Sequence, residues 1–232
     1  MQNDLTLISA NLALIGRNIR DASTRVGRDP SEITIVAATK TAEVEAVLEA
    51  IKSGVKVVGE SRVQEAVRKH GIIGDLVEWH FIGPLQKNKA KYIPGLFSLV
   101  HSVDSHGLAA ELDRRAGLAG KVVRILLEIN IGGEGSKHGI APSAAVEECK
   151  KISSLKNLRL AGLMAVPPPA DDPEKSRPHF RRMVAIKNEL ERLKLENADF
   201  DILSFGMTDD YVVAVEEGAT HLRIGRGIFG ER

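Results

Sequence analysis

The chain has 232 residues, 43% of them hydrophobic, enough to bury a full core as one large domain or two small ones. Its 32 basic and 31 acidic residues leave a net charge of +1, so no global field recruits nucleic acid or an anionic membrane, and any anionic ligand must be held by local geometry. A single cysteine, Cys149, excludes an internal disulfide and a cysteine metal cluster, and reads as a half-buried structural thiol.

Asp4, Asn11 and Arg17 interrupt every apolar run near the N-terminus, so neither a signal peptide nor a membrane span is expected, and a soluble cytoplasmic protein is. Leu5, Ile8, Leu12, Ile15 and Ile19 recur at steps of three and four, which predicts an amphipathic helix over 4–26. Gly27 to Pro30 breaks it. The stretch 33–40, I-T-I-V-A-A-T-K, is an apolar, β-branched run ending in a lysine, the pattern of a buried strand that delivers a charge at its C-terminal end. Helix and strand signals then alternate: helices over 43–52, 61–70, 106–116, 144–152, 174–195 and 209–217, a basic helical stretch over 86–92, and strands over 55–58, 77–82, 96–100, 122–131, 158–164, 201–203 and 221–224. Eight short strands separated by helices mean parallel βαβ units, and eight such units in this length predict a single (β/α)8 TIM barrel domain over 1–232 with an extra N-terminal helix. An open doubly wound sheet competes, but no G-x-G-x-x-G follows the first strand.

In a barrel the strand C-termini share one face, so Lys40 faces the loops after strands seven and eight. The first, S-F-G-M-T-D-D at 204–210, offers hydroxyls and a glycine before a helix; the second, R-I-G-R-G at 223–227, is a glycine turn flanked by arginines. Freed backbone N–H groups and hydroxyls in this position suit a phosphate. A lysine amine condenses with an aldehyde, and burial would favour its neutral, nucleophilic form. A ligand carrying both aldehyde and phosphate fits, pyridoxal phosphate (PLP) being one; a sugar phosphate with Lys40 as an aldolase-type nucleophile is the alternative. Lys87, Lys89 and Lys91 read as a solvated helix face, and His80 and His101 as satisfied barrel histidines without metal-ligand spacing.

Motifs spread along the chain carry a resemblance: V-A-A-T-K at 36–40, G-E-S-R-V-Q-E at 59–65, W-H-F-I-G-P-L-Q-K-N-K at 79–89, H-S-V-D-S at 101–105, S-K-H-G at 136–139, G-L-M at 162–164, and the two loops after strands seven and eight. The sequence resembles the pyridoxal phosphate homeostasis protein family, single barrels similar to the N-terminal domain of alanine racemase. The resemblance implies that Lys40 holds PLP as a Schiff base, that Ser204, Gly225 and the amide of Arg226 contact the phosphate, that Arg223 faces the pyridine nitrogen, and that Ser61 and Met207 belong to the cofactor site. Ser61 stands where the family commonly has asparagine, so a contact to the ring is lost or lengthened. Arg226 replaces a small, often hydroxylated residue, exchanging a hydroxyl donor for a cation.

A guanidinium only donates, so a ring nitrogen facing Arg223 stays unprotonated and the cofactor is a weak electron sink. The competing role for Arg223 is a salt bridge to an acid such as Glu60. A racemase needs a second acid/base on the opposite face of its substrate, which in alanine racemase is a tyrosine of a separate domain of the partner subunit; this sequence has only Tyr92 and Tyr211 and ends soon after the eighth strand. The expectation is a non-catalytic carrier, a monomer or weak dimer passing PLP to apo-enzymes, with a low-activity racemase-like enzyme as the alternative. Lys137 is a candidate second amine for cofactor transfer.

Overall fold

The alternating signals resolve, in a computed structural model describing residues 2–133 and 138–230, into a closed ring of eight parallel strands wrapped by helices. The strands are β1 (Thr34–Ala38), β2 (Val57–Glu60), β3 (Glu78–Phe81), β4 (Leu99–Val103), β5 (Val123–Ile129), β6 (Leu158–Ala165), β7 (Ala198–Ser204) and β8 (His221–Ile224). The helices are α1 (Gln2–Arg25), α2 (Val44–Lys52), α3 (Val63–Ile73), α4 (Ile93–Leu96), α5 (His106–Leu118), α6 (Ala145–Ser153), α7 (Arg177–Arg192), α8 (Tyr211–Glu216) and α9 (Arg226–Phe229). Neighbours in sequence are neighbours in the ring, and β8 closes on β1 with Val36 level with Arg223. This is the (β/α)8 barrel with a leading helix that the sequence predicts.

Two departures concern the end of the chain. Strand β7 begins at Ala198, earlier than predicted, because the polar residues Asp199 and Asp201 disguise a strand whose Phe200 and Ile202 are buried. A short helix, α9, follows β8, and its Ile228 is buried.

The apolar residues divide into two cores. Most lie between the barrel wall and the helices: Ile8, Ile15 and Ile19 of α1 are buried there, each contributing roughly 1.5–3 kcal/mol. A smaller cluster of Leu99, Leu126, Ala161, Met164 and Ile202 fills the inside of the ring. Cys149 is wholly rather than half buried, on the inner face of α6, and burial pushes its thiol up to about 12, which makes it inert. Helix α1 is fastened along the last elements: the Asn11 amide donates to the Ile228 carbonyl at 3.1 Å, the Asn18 amide to the Tyr211 hydroxyl at 2.7 Å, and Arg25 to Glu216 at 2.8 Å. No described helix is long and apolar enough to cross a membrane.

Candidate functional site

The residues singled out in the sequence sit at the C-terminal ends of four consecutive strands of the ring, β7, β8, β1 and β2. Strand alternation turns Val36 and Gly59 inward, since a side chain built on Gly59 would strike Val36 and Ile82. The register of β1 with β8 then brings Ala38 beside Gly225, where a Cβ would lie 3.2 Å from the Ala38 carbonyl oxygen. Lys40 follows two residues later, at the rim. It is exposed rather than buried, because β1 ends at Ala38 and Lys40 stands in a turn beyond it. Ser61 is half-buried after β2; Gly83 lets the next loop close on it, a Cβ there falling 2.6 Å from the Ser61 Cα.

The loops after β7 and β8 are knitted together. The Met207 N–H donates to Asp210 at 2.7 Å, and Asp210 in turn accepts from Ser176 at 3.0 Å, which fixes the turn. The Gly227 N–H donates to the Thr208 hydroxyl at 3.1 Å, and the Arg223 N–H to the Gly206 carbonyl at 3.0 Å. Arg226 is exposed and pairs with Asp209 at 2.5 Å, so the extra cation in this loop is largely answered by its own neighbour. Beside the mouth, a cavity of about 560 Å³ lies between Pro167–Pro169 and Met207.

Inside the barrel the same elements hold a buried cation. Arg223 donates through Nη1 to the Ser204 carbonyl at 2.7 Å and hydroxyl at 2.6 Å, and through Nη2 to the Ala165 carbonyl at 2.9 Å. Among the described residues these bonds take three of its five N–H donors. Burial pushes its guanidinium down to about 10, against the opposing charges of Glu128 and Asp210, and leaves it cationic at neutral pH. Ser204 ends β7 with its hydroxyl wholly buried between Arg223 and His101 Nδ1, the latter at 2.9 Å. Thr208 is the half-buried hydroxyl at the junction of the two loops. His101 Nε2 meets His80 Nδ1 at 3.0 Å, and His80 Nε2 meets Glu78 at 3.2 Å. Burial pushes both imidazoles below their ordinary range, and the His80 hydrogen bond holds Glu78 at about 2. On β5, burial raises the Glu128 carboxyl, with the Arg223 charge opposing.

Outside the wall lies a second buried charge system. Lys69 of α3 reaches the Glu60 carboxylate at 2.6 Å and the Thr39 carbonyl at 2.5 Å, and the Thr39 hydroxyl donates to the same Glu60 oxygen at 2.7 Å. Glu60 is thus paired with Lys69, which removes it as the partner of Arg223. The network clamps the residue immediately before Lys40.

Comparison with known proteins now places the fold. Residues 10–232 match the family model of the alanine racemase N-terminal domain. The pyridoxal phosphate homeostasis protein of Aquifex aeolicus is 41% identical over 222 residues, covering 95% of this chain and 96% of that protein. The chain belongs to the pyridoxal phosphate homeostasis protein family. Two solved structures are similar to it: an unknown protein from Bifidobacterium adolescentis (TM-score 0.93, 30% identity, 98% and 96% coverage), and PipY of Synechococcus elongatus PCC7942 with PLP bound (TM-score 0.82, 32% identity, 96% and 100% coverage).

Several buried or rim contacts of this family member escape the sequence reading. Lys69 carried a signal, a lysine on the stripe of Val63, Ala66 and Ile73 that α3 turns to the core. The ties of His101 and Ser204 carried none, because they join strands 103 residues apart. His138 pairs with Asp104 at 3.5 Å on the rim; Lys137, next to it, lies outside the described residues. Among the described residues no group of three or more His, Cys, Asp or Glu is placed to hold a metal ion.

Proposed function

We propose that this protein binds pyridoxal phosphate reversibly at the barrel mouth, limits the free aldehyde and passes the cofactor to apo-enzymes through transient contacts, without turning over a substrate of its own. The bound cofactor supplies an aldehyde open to attack by a primary amine with loss of water. Lys40 is the amine at the rim, held by the Thr39 clamp behind it. The observation that carries the reading is the buried Arg223 cation, which keeps donors for an acceptor above it on the strand beside Lys40. A donor-only group suits an unprotonated ring nitrogen and suits retention better than electron withdrawal. Gly225, with no side chain against Ala38, leaves room for close approach of the cofactor, and the main chain of Arg226 with the Thr208 hydroxyl receives the phosphate. Ser204 serves by holding Arg223, Ser61 borders the ring, and Met207 lines the cleft beside it.

Borohydride reduction of the PLP-loaded protein, followed by peptide mass mapping, tests the assignment. The reduced adduct is expected on Lys40, and Lys40→Ala is expected to lose the visible band; an adduct elsewhere, or a wild type that cannot be loaded, overturns it. Robust racemisation or transamination of an amino acid by the purified protein overturns the carrier reading.

A further inference from the structure

The polar chain inside the barrel does more than satisfy buried groups, because its chemistry allows one direction only. Arg223 has no acceptor, so the Ser204 oxygen accepts from Nη1 at 2.6 Å and its own hydrogen turns to His101 Nδ1 at 2.9 Å. A neutral His101 that accepts at Nδ1 carries its proton on Nε2 and donates it to His80 Nδ1 at 3.0 Å. His80 then carries its proton on Nε2 as well and donates to the Glu78 carboxylate at 3.2 Å. Reversing the chain would set the His80 Nε2 lone pair against an ionised carboxylate. Burial of both imidazoles keeps them neutral, so each link has one donor and one acceptor.

The far end of the chain lies at the opposite end of the barrel from Lys40. A cavity of about 880 Å³ opens there, at the strand N-termini, lined by Glu78, His80, Arg124, Asp201 and His221. Glu78 is 46% exposed in it, whereas His80, His101 and Ser204 are at most 2% exposed. The neighbouring charges are Arg124, beside Glu78 and His80, and Arg223; the third imidazole, His221, stacks on His80 at 5.9 Å.

We propose that Glu78, His80, His101 and Ser204 form a directional positioning chain that sets the orientation of Arg223, so that the floor of the barrel governs how the cofactor's ring nitrogen is held at the mouth. The inference rests on PLP binding as proposed above, and its test separates the two. In the protein without cofactor, imidazole 15N NMR should show His80 and His101 neutral and protonated on Nε2. Glu78→Leu removes the last acceptor; it should change the His101 resonances, although within the chain Glu78 touches only His80, its other neighbours being Ser98 and Arg124, and shift the Arg223 guanidinium signals. Glu78→Gln retains an acceptor oxygen and should restore both. In the loaded protein, Glu78→Leu should move the visible absorption maximum and weaken PLP binding by about threefold or more, with Glu78→Gln close to wild type. A wild-type His101 protonated on Nδ1, or His101 and Arg223 signals indifferent to Glu78→Leu, overturns the chain. Failure of the wild type to take up PLP overturns the proposed function while the spectra of the unloaded protein still decide the chain.

Discussion

Two buried cations lie close to the rim, and their partners differ. Lys69, outside the wall, meets a carboxylate at 2.6 Å and a backbone carbonyl, so its charge is answered within the fold. Arg223, inside, is bonded among the described residues only to the neutral oxygens of Ser204 and Ala165. The contrast separates scaffold from site: a paired charge has little left to offer a ligand, whereas a desolvated cation among neutral acceptors still attracts an electron-rich atom.

The comparison breaks most visibly at Lys69. Lys69→Met strands the Glu60 carboxylate in the wall and should cost about 3–5 kcal/mol in denaturant unfolding. Arg223→Met leaves the Ser204 and Ala165 carbonyls unpaired, a cost of about 1–3 kcal/mol. Its PLP affinity, followed by absorbance titration, should fall at least about tenfold, roughly 1.4 kcal/mol. Stability equal to that of Lys69→Met with unchanged affinity would reverse the two roles. Acid sharpens the interior side. Burial lowers His221 to about 3, so the unfolded chain binds a proton below about pH 6.5 that the native chain refuses. Its contribution is full above that pH and is lost as pH falls toward 3, at up to about 1.4 kcal/mol per pH unit. The check is a series of unfolding midpoints between pH 7 and pH 4, which should fall less steeply in His221→Asn. The smallest effect belongs to the exposed Arg226–Asp209 pair, where Arg226→Ala should change stability by under about 1 kcal/mol.

The barrel was legible because its signals are local: β-branched runs, helical stripes and breakers recur at the spacing that parallel crossovers require. The rim residues followed from one rule, that strand C-termini share a face, and Lys40, Gly225 and Arg226 lie there. What the sequence hid depends on orientation. Ser204 and Thr208 are both hydroxyls of one loop motif, yet strand alternation turns the first into the barrel and leaves the second at the loop junction. Lys40 carries the charge expected at the strand end, but the turn at 40–41 takes it out of the wall and into solvent. Lys69 and Glu60 pair across a helix–strand contact that no periodicity specifies.

The closure of β8 onto β1 has a further consequence for biogenesis. The seam joins the first strand made to the last, and Lys40 and Arg223 lie on opposite sides of it. Synthesis therefore makes Lys40 long before Arg223 and Gly225, and the two sides of the rim meet only once β8 has closed on β1. Because a ligand that holds only the closed ring favours closure by mass action, pyridoxal phosphate bound as proposed would act as a clasp on the seam.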